Sequence, residues 1–222
     1  VGYLNSDEYK SYLDIEVPFF QYQDFFGQGL KANINNKSSN RGSEFVINKF
    51  IYKNSNFGEF LLGSKRKKNK LSINVQLKPL LEKGNGFNLS FDVSRLGNNM
   101  NVLNLTDSSI IYNNGNWNLK ELENEPIIYD YKNNSIEFNN FKLTSENSEI
   151  KVKGFYKGLR NFDINLSFHK VNLNHLVKHN ENFTTEGLFN SSWRIKRTSM
   201  DNSMKGFLSS SEVYINNVFI GE

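Results

Sequence analysis

Leu71-Ser72-Ile73-Asn74-Val75-Gln76-Leu77 alternates apolar and polar residues without a break. Side chains of a β-strand point to opposite faces with period two. This heptad therefore has one apolar face and one wet face. Phe87-Asn88-Leu89-Ser90-Phe91-Asp92-Val93 repeats the pattern, and so does Phe162-Asp163-Ile164-Asn165-Leu166-Ser167-Phe168. Such alternation predicts antiparallel strands solvated on one side. Turn-rich stretches separate them: Lys83 to Gly86, Asn113 to Asn116 and Lys157 to Asn161. Little helix is expected. Leu173 to Asn180 has room for two turns and Pro79 to Lys83 for one. Residues 1–30 are aromatic-rich and less regular.

A second pattern adds curvature. Apolar residues recur as a pair, a two-residue polar gap and another pair. The copies are Phe45-x-Ile47-Asn48-Lys49-Phe50-x-Tyr52, Ile136-x-Phe138-Asn139-Asn140-Phe141-x-Leu143, Leu166-x-Phe168-His169-Lys170-Val171-x-Leu173 and Val213-x-Ile215-Asn216-Asn217-Val218-x-Ile220. In a flat strand the gap would send the second pair to the opposite face. A β-bulge or sharp bend at the polar residues restores the face and increases twist. The fold expected is all-β: a long, strongly curved and twisted antiparallel sheet forming a groove, with one or two short helices. A closed β-sandwich is the alternative, because alternation does not distinguish an open trough from a closed core.

Composition agrees. The chain has 222 residues, 37% of them hydrophobic and 14% aromatic. Roughly one residue in six is Asn, far above ordinary usage. Asn is poor in helix interiors and well tolerated in turns and left-handed positions. The net charge of +4 is too low for a dedicated nucleic-acid binder, and no stacked-aromatic RNA motif is present. The absence of cysteine excludes disulfide and thiolate chemistry. No stretch approaches the ~18 apolar residues of a spanning helix.

The sequence carries no recognisable catalytic motif. There is no G-x-S-x-G elbow and no P-loop. Glu121, Glu123 and Glu125 cluster in what reads as a connection. His175 and His179 are four apart, but zinc needs a third protein ligand. His169 falls in a polar bend and is expected to be exposed. The basic run Lys65-Arg66-Lys67-Lys68-Asn69-Lys70 reads as a solvated hairpin turn, with contact to anionic lipid head groups or an acidic partner as the functional alternative. The sequons at Asn88 and Asn165 fall inside predicted strands, where a glycan fits poorly. The expectation is no enzyme, no metal and no cofactor.

From Trp117-Asn118-Leu119 through Ile136 to Leu143, Ile150-Lys151-Val152-Lys153-Gly154, Phe162 to Leu173 and Leu173-Asn174-His175-Leu176-Val177, the order of elements resembles TamB-type proteins of Bacteroidetes. These belong to the AsmA-like group of cell-envelope proteins. Glu186-Gly187-Leu188-Phe189-Asn190 stands where such proteins often carry a G-x-hydrophobic-x-G strand, with Asn190 or Ser191 replacing the second Gly. Residues 42–77 look like the tail of a similar unit. The resemblance implies a periplasmic β-groove protein, anchored in the inner membrane and meeting an Omp85-type barrel at the outer membrane through other parts of a longer chain. It implies a role in phospholipid transport or outer-membrane protein assembly.

On that reading the whole chain is one β-rich segment: a less regular start at 1–41, the tail of one groove unit at 42–98, and a further unit at 99–222 that ends as another begins. Phospholipid acyl chains would lie against the alternating faces. The expected lining is Leu71, Ile73, Val75, Leu77, Phe87, Leu89, Phe91, Val93, Phe162, Ile164, Leu166 and Phe168. The other reading is a self-contained β-sandwich that binds a carbohydrate or protein.

Overall fold

The computed structural model describes the chain except residues 1, 6–9, 37–40, 54, 68, 82–83, 114, 121–122, 177–182, 200 and 222. It is all-β, and the strand registers described are antiparallel. No α-helix occurs among the described residues. The expected helix after Leu173 is a single 3-10 turn, Leu173–His175, with its remainder outside the described residues. Pro79 to Leu81 form no helix; one hydrogen bond from Gly84 N–H to the Leu81 carbonyl closes a turn there. The chain divides into two compact units, Val1–Ser94 and Arg95–Glu222.

The first unit carries β1 (Gly2–Asn5), β2 (Lys10–Tyr22), β3 (Phe25–Asn35), β4 (Arg41–Tyr52), β5 (Ser55–Phe57), β6 (Phe60–Lys67), β7 (Lys70–Leu77) and β8 (Gly86–Leu96). The aromatic-rich start, which reads as irregular in the sequence, forms the long β2–β3 hairpin. The registers align apolar residues in rows across six strands. One row is Val17, Leu30, Ile47, Phe60, Leu77 and Phe87; the next is Ile15, Ala32, Phe45, Leu62, Val75 and Leu89. The opposite face is polar and cross-linked between strands. Asn74 donates to Asn88 at 2.8 Å and to Ser90 at 2.7 Å, and Ser72 donates to Asp92 at 2.6 Å.

The second unit carries β9 (Met100–Leu105), β10 (Ser108–Tyr112), β11 (Gly115–Leu119), β12 (Ile127–Asp130), β13 (Ser135–Ser145), β14 (Ser148–Tyr156), β15 (Phe162–Asn172), β16 (Thr185–Arg197), β17 (Asn202–Ile215) and β18 (Val218–Gly221). In each unit the ladders pass from strand to strand within one sheet, instead of forming the two facing sheets of a sandwich. The edge of β13 is shared by β11 and β12. Asn124 fills the gap between them. Its side-chain oxygen accepts from Lys142 N–H at 2.7 Å and its amide donates to the Lys142 carbonyl at 3.2 Å, so the side chain takes the place of a strand residue.

Four polar gaps share one sequence pattern, and the structure resolves them in three ways. At Asn139-Asn140 the β13–β14 register slips by one residue, and at His169-Lys170 the β15–β16 register does the same. These are the expected bulges. Asn216-Asn217 is instead a two-residue hairpin turn, with both residues at positive φ (50° and 63°) and Ile215 paired to Val218. Two left-handed residues match the twist of a hairpin, and Asn tolerates them better than other side chains. At Asn48-Lys49 β4 continues with no slip of register against β3.

At the second bulge Lys170 has φ +46°, and its N–H is taken by the Asn190 side-chain oxygen at 2.9 Å. Asn190→Ala should lower stability by about 1 kcal/mol through loss of this one bond. A shift of the thermal midpoint compared with Asn190→Asp, which keeps the acceptor, checks it.

Candidate functional site

The site is built where β4 fails to slip. Pro18, Gly29 and Asn48 are the residues skipped in the β2–β3 and β3–β4 registers, so they lie side by side across three strands. Each suits a break. Proline has no N–H to give the ladder. Gly29 sits at φ +67°, and the Asn48 side chain occupies the space its Cβ would need. All three strands change parity together, which is why no register shift records the bend. Phe45, Ile47 and Phe50 consequently face the same way, although an odd step separates Ile47 from Phe50.

Astride the bend lies a cleft of about 460 Å³ lined by Phe20, Tyr22, Phe25, Leu30, Phe45, Ile47, Phe50 and Phe60. Apart from the Tyr22 hydroxyl, every lining side chain is hydrocarbon. Aromatic rings from β2, β3 and β4 form its floor, and the ring stack continues onto β5. Phe20 stacks on Phe25 at 5.5 Å, Phe25 on Phe50 at 5.3 Å, and Phe50 on Phe57 of β5 at 4.7 Å. Gly27 makes the stack possible, because the Phe20 ring lies over the place where a Cβ would be. The volume is that of a ligand pocket, and its lining is more uniformly apolar than most.

The apolar rows extend the cleft along the face. Leu77 pairs with Phe60, and Leu71, Ile73, Val75 and Leu77 pair with Val93, Phe91, Leu89 and Phe87. The eight residues expected on this hairpin therefore share one face. It is not a closed core. Ile47 is buried, but Leu13 is 38% exposed and Ile34 44%. A β-sandwich interior would cover them.

The other four expected lining residues belong to the second unit. Phe162, Ile164, Leu166 and Phe168 lie in β15, where Leu166 pairs with Val152 and Trp193 and Ile164 with Gly154 and Ile195. Phe168 is partly buried. It packs against the buried cluster of Trp117, Val171 and Phe189, with the Phe189 ring at 5.5 Å. Leu173 and Leu176, on and after the 3-10 turn, seal the same cluster.

The polar candidates resolve into structural contacts. Lys142 bridges Glu123 at 3.2 Å and Glu149 at 2.8 Å, which ties the segment before β12 to the sheet. Its ammonium is held above its ordinary range, first by the hydrogen bond to Glu149. Burial pushes the Glu149 carboxyl up, but the hydrogen bonds from Lys142 and Lys151 outweigh it and the net shift is downward. Hydrogen bonds from Lys142 and Lys120 likewise lower Glu123. Asp163 is lowered by the two-pronged Arg194 guanidinium, at 2.9 and 2.7 Å. Glu121 and His179 lie outside the described residues. His175 lies edge-on to Trp117 at 6.0 Å, and His169 is exposed at its bulge. Among the described residues no three His, Cys, Asp or Glu side chains are grouped as metal ligands.

No protein-family model matches the chain, and no curated protein or solved structure does so significantly.

None of the eight cleft residues is among the twelve expected from the sequence as lining; Phe20, Tyr22 and Phe25 on the β2–β3 hairpin and Leu30, Phe45, Ile47, Phe50 and Phe60 were all missed in that role. A signal was present: Phe19-Phe20-Gln21-Tyr22 and Phe25-Phe26 flank the Gln23-Asp24 turn, which is a hairpin with aromatic arms.

Proposed function

We propose that this chain is a non-enzymatic segment that shelters acyl chains on its apolar β-face, as part of a cell-envelope protein that moves lipid or supports outer-membrane assembly. The observation that carries this reading is the cleft: an aromatic floor, hydrocarbon walls and a run of uncovered apolar rows beside it. An acyl chain laid there gains about 0.8 kcal/mol for each CH₂ removed from water. A continuous face lets it slide without being released into solvent. No side chain has to do chemistry. The periplasmic location, the inner-membrane anchor and the Omp85-type partner belong to the same proposal. Their support is the resemblance over residues 117–222.

Mass spectrometry of the purified chain under native conditions should find acyl lipid retained, and a fluorescent fatty acid should bind and be displaced by phospholipid monomers. Phe25→Ser with Phe50→Ser should weaken that binding at least ~10-fold, because each ring removes ~1.5–3 kcal/mol of apolar contact when fully covered. An unchanged affinity with a native circular dichroism spectrum would remove the cleft from the proposal. Binding of soluble sugars with none of acyl compounds would favour a carbohydrate module instead.

A further inference from the structure

The apolar face of the first unit ends in two arginines. Arg41 of β4 pairs directly with Arg66 of β6. By strand alternation both stand on the side of Phe45, Ile47, Leu62 and Phe60, which is the cleft side, rather than on the polar face. Like charges directly opposite each other are destabilising. Both residues are exposed, and among the described residues neither guanidinium has an acidic partner. The nearby acids are turned away: Glu44 and Asp92 alternate onto the other face, where Asp92 is engaged by Ser72 and Lys70. One step inward, the Ser43 and Ser64 hydroxyls share a hydrogen bond of 2.7 Å. The next residues are Phe45 and Leu62, where the hydrocarbon begins.

We propose that Arg41 and Arg66 form the head-group end of the cleft, so that the site selects amphiphiles whose single head group carries net negative charge, such as a phosphate or carboxylate. This rests on the acyl-chain reading above and adds a polarity to it: head at the arginine pair, tail toward the Phe20–Phe25–Phe50 floor. The lengths agree. At ~3.3 Å per residue, Arg41 stands about 13 Å from Phe45 and about 20 Å from Ile47. An acyl chain in one leaflet of a ~30 Å hydrocarbon core spans about 15 Å. A head group on the two guanidiniums therefore delivers its tail to the mouth of the cleft. Two guanidinium forks suit a phosphate or carboxylate oxygen set, and an anion between them relieves their mutual repulsion.

The test uses the 222-residue chain with dodecyl phosphate, dodecylphosphocholine and inorganic phosphate, each below its aggregation limit, by titration calorimetry at low salt. Dodecyl phosphate should bind about 10-fold tighter than the net-neutral dodecylphosphocholine, as two partly solvated charge contacts allow. Arg41→Gln with Arg66→Gln should erase that preference while dodecylphosphocholine binds as before. Inorganic phosphate should bind far more weakly than either amphiphile. Equal affinities for the two amphiphiles, or a preference that survives in the double variant, would overturn the arginine pair and leave the acyl-chain reading intact. Inorganic phosphate binding as tightly as dodecyl phosphate would make this a free-anion site and overturn the pairing of head and tail. Failure of both amphiphiles to bind the wild-type chain would overturn the acyl-chain reading and this one with it.

Discussion

Gly154→Ala should cost the protein about 3 kcal/mol or more, making it one of the two most damaging single changes expected. Gly154 sits in β14 at φ +135°, a conformation that L side chains rarely adopt. That backbone alone costs of order 1–3 kcal/mol for any other residue. The space is also taken. A Cβ there would overlap the Asp163 carbonyl oxygen and lie 2.9 Å from Ile164 Cα. Both belong to the backbone of β15, so neither can rotate away. Relief requires parting the β14–β15 ladder, which holds Ile164, Leu166 and Phe168 in place. The control is Gly158→Ala in the loop that follows. Gly158 is also at positive φ (+76°), but nothing lies within 4 Å of its Cβ position. It carries a left-handed backbone without crowding, which costs about 1–2 kcal/mol. Urea unfolding followed by circular dichroism should show a much lower midpoint for Gly154→Ala at unchanged slope. Equal midpoints for the two variants would mean that β15 does not crowd Gly154.

How much of this was legible beforehand depended on whether a decision was local. β7 and β8 are uninterrupted period-two strands, and both the hairpin and its shared apolar face follow from alternation. The gaps at Asn139-Asn140 and His169-Lys170 were also readable, because a bulge needs only one extra residue on one strand. Asn216-Asn217 has the same local pattern and became a turn. Its outcome was set by Asn tolerating positive φ twice in succession. Asn48 was the least legible. Its bend is shared with Pro18 and Gly29, residues 30 and 19 positions away, and three individually ordinary features coincide only once the registers are known. The cleft lies at that coincidence, which is why its floor of Phe20, Phe25 and Phe50 escaped a reading confined to single strands. The arginine pair was hidden for the same reason. Lys65 to Lys70 reads as a solvated turn, and it is the register with Arg41 that puts one of its charges on the apolar side.

Trp117→Ala is the second large effect, about 3–5 kcal/mol, as is usual for removing an indole from a packed interior. Trp117 is 4% exposed, beside Val171, which has no exposed surface, and Phe189. Ile110, Leu143, Ile150, Phe168, Leu173 and Leu176 pack around this trio from four strands and the 3-10 turn. Few other apolar side chains among the described residues are fully buried, so the second unit depends heavily on this cluster. Trp193 provides the comparison. It is partly exposed and lies against Gly206 on the open sheet, so Trp193→Ala should cost roughly half as much. Because each change removes one of the two tryptophans, unfolding is best followed by circular dichroism rather than fluorescence. The contrast with the cleft makes the result informative. The cluster is the buried core of the second unit, whereas the first unit's apolar rows run beside the aromatic cleft. Trp117→Ala should therefore reduce stability and leave fatty-acid affinity unchanged under conditions where the chain is still folded. Phe25→Ser with Phe50→Ser should lose affinity while stability falls less, since those rings line a cleft rather than a core. If the tryptophan variant instead lost the ligand and the phenylalanine variant kept it, the acyl chain would belong to the second unit, along Phe162, Ile164 and Leu166.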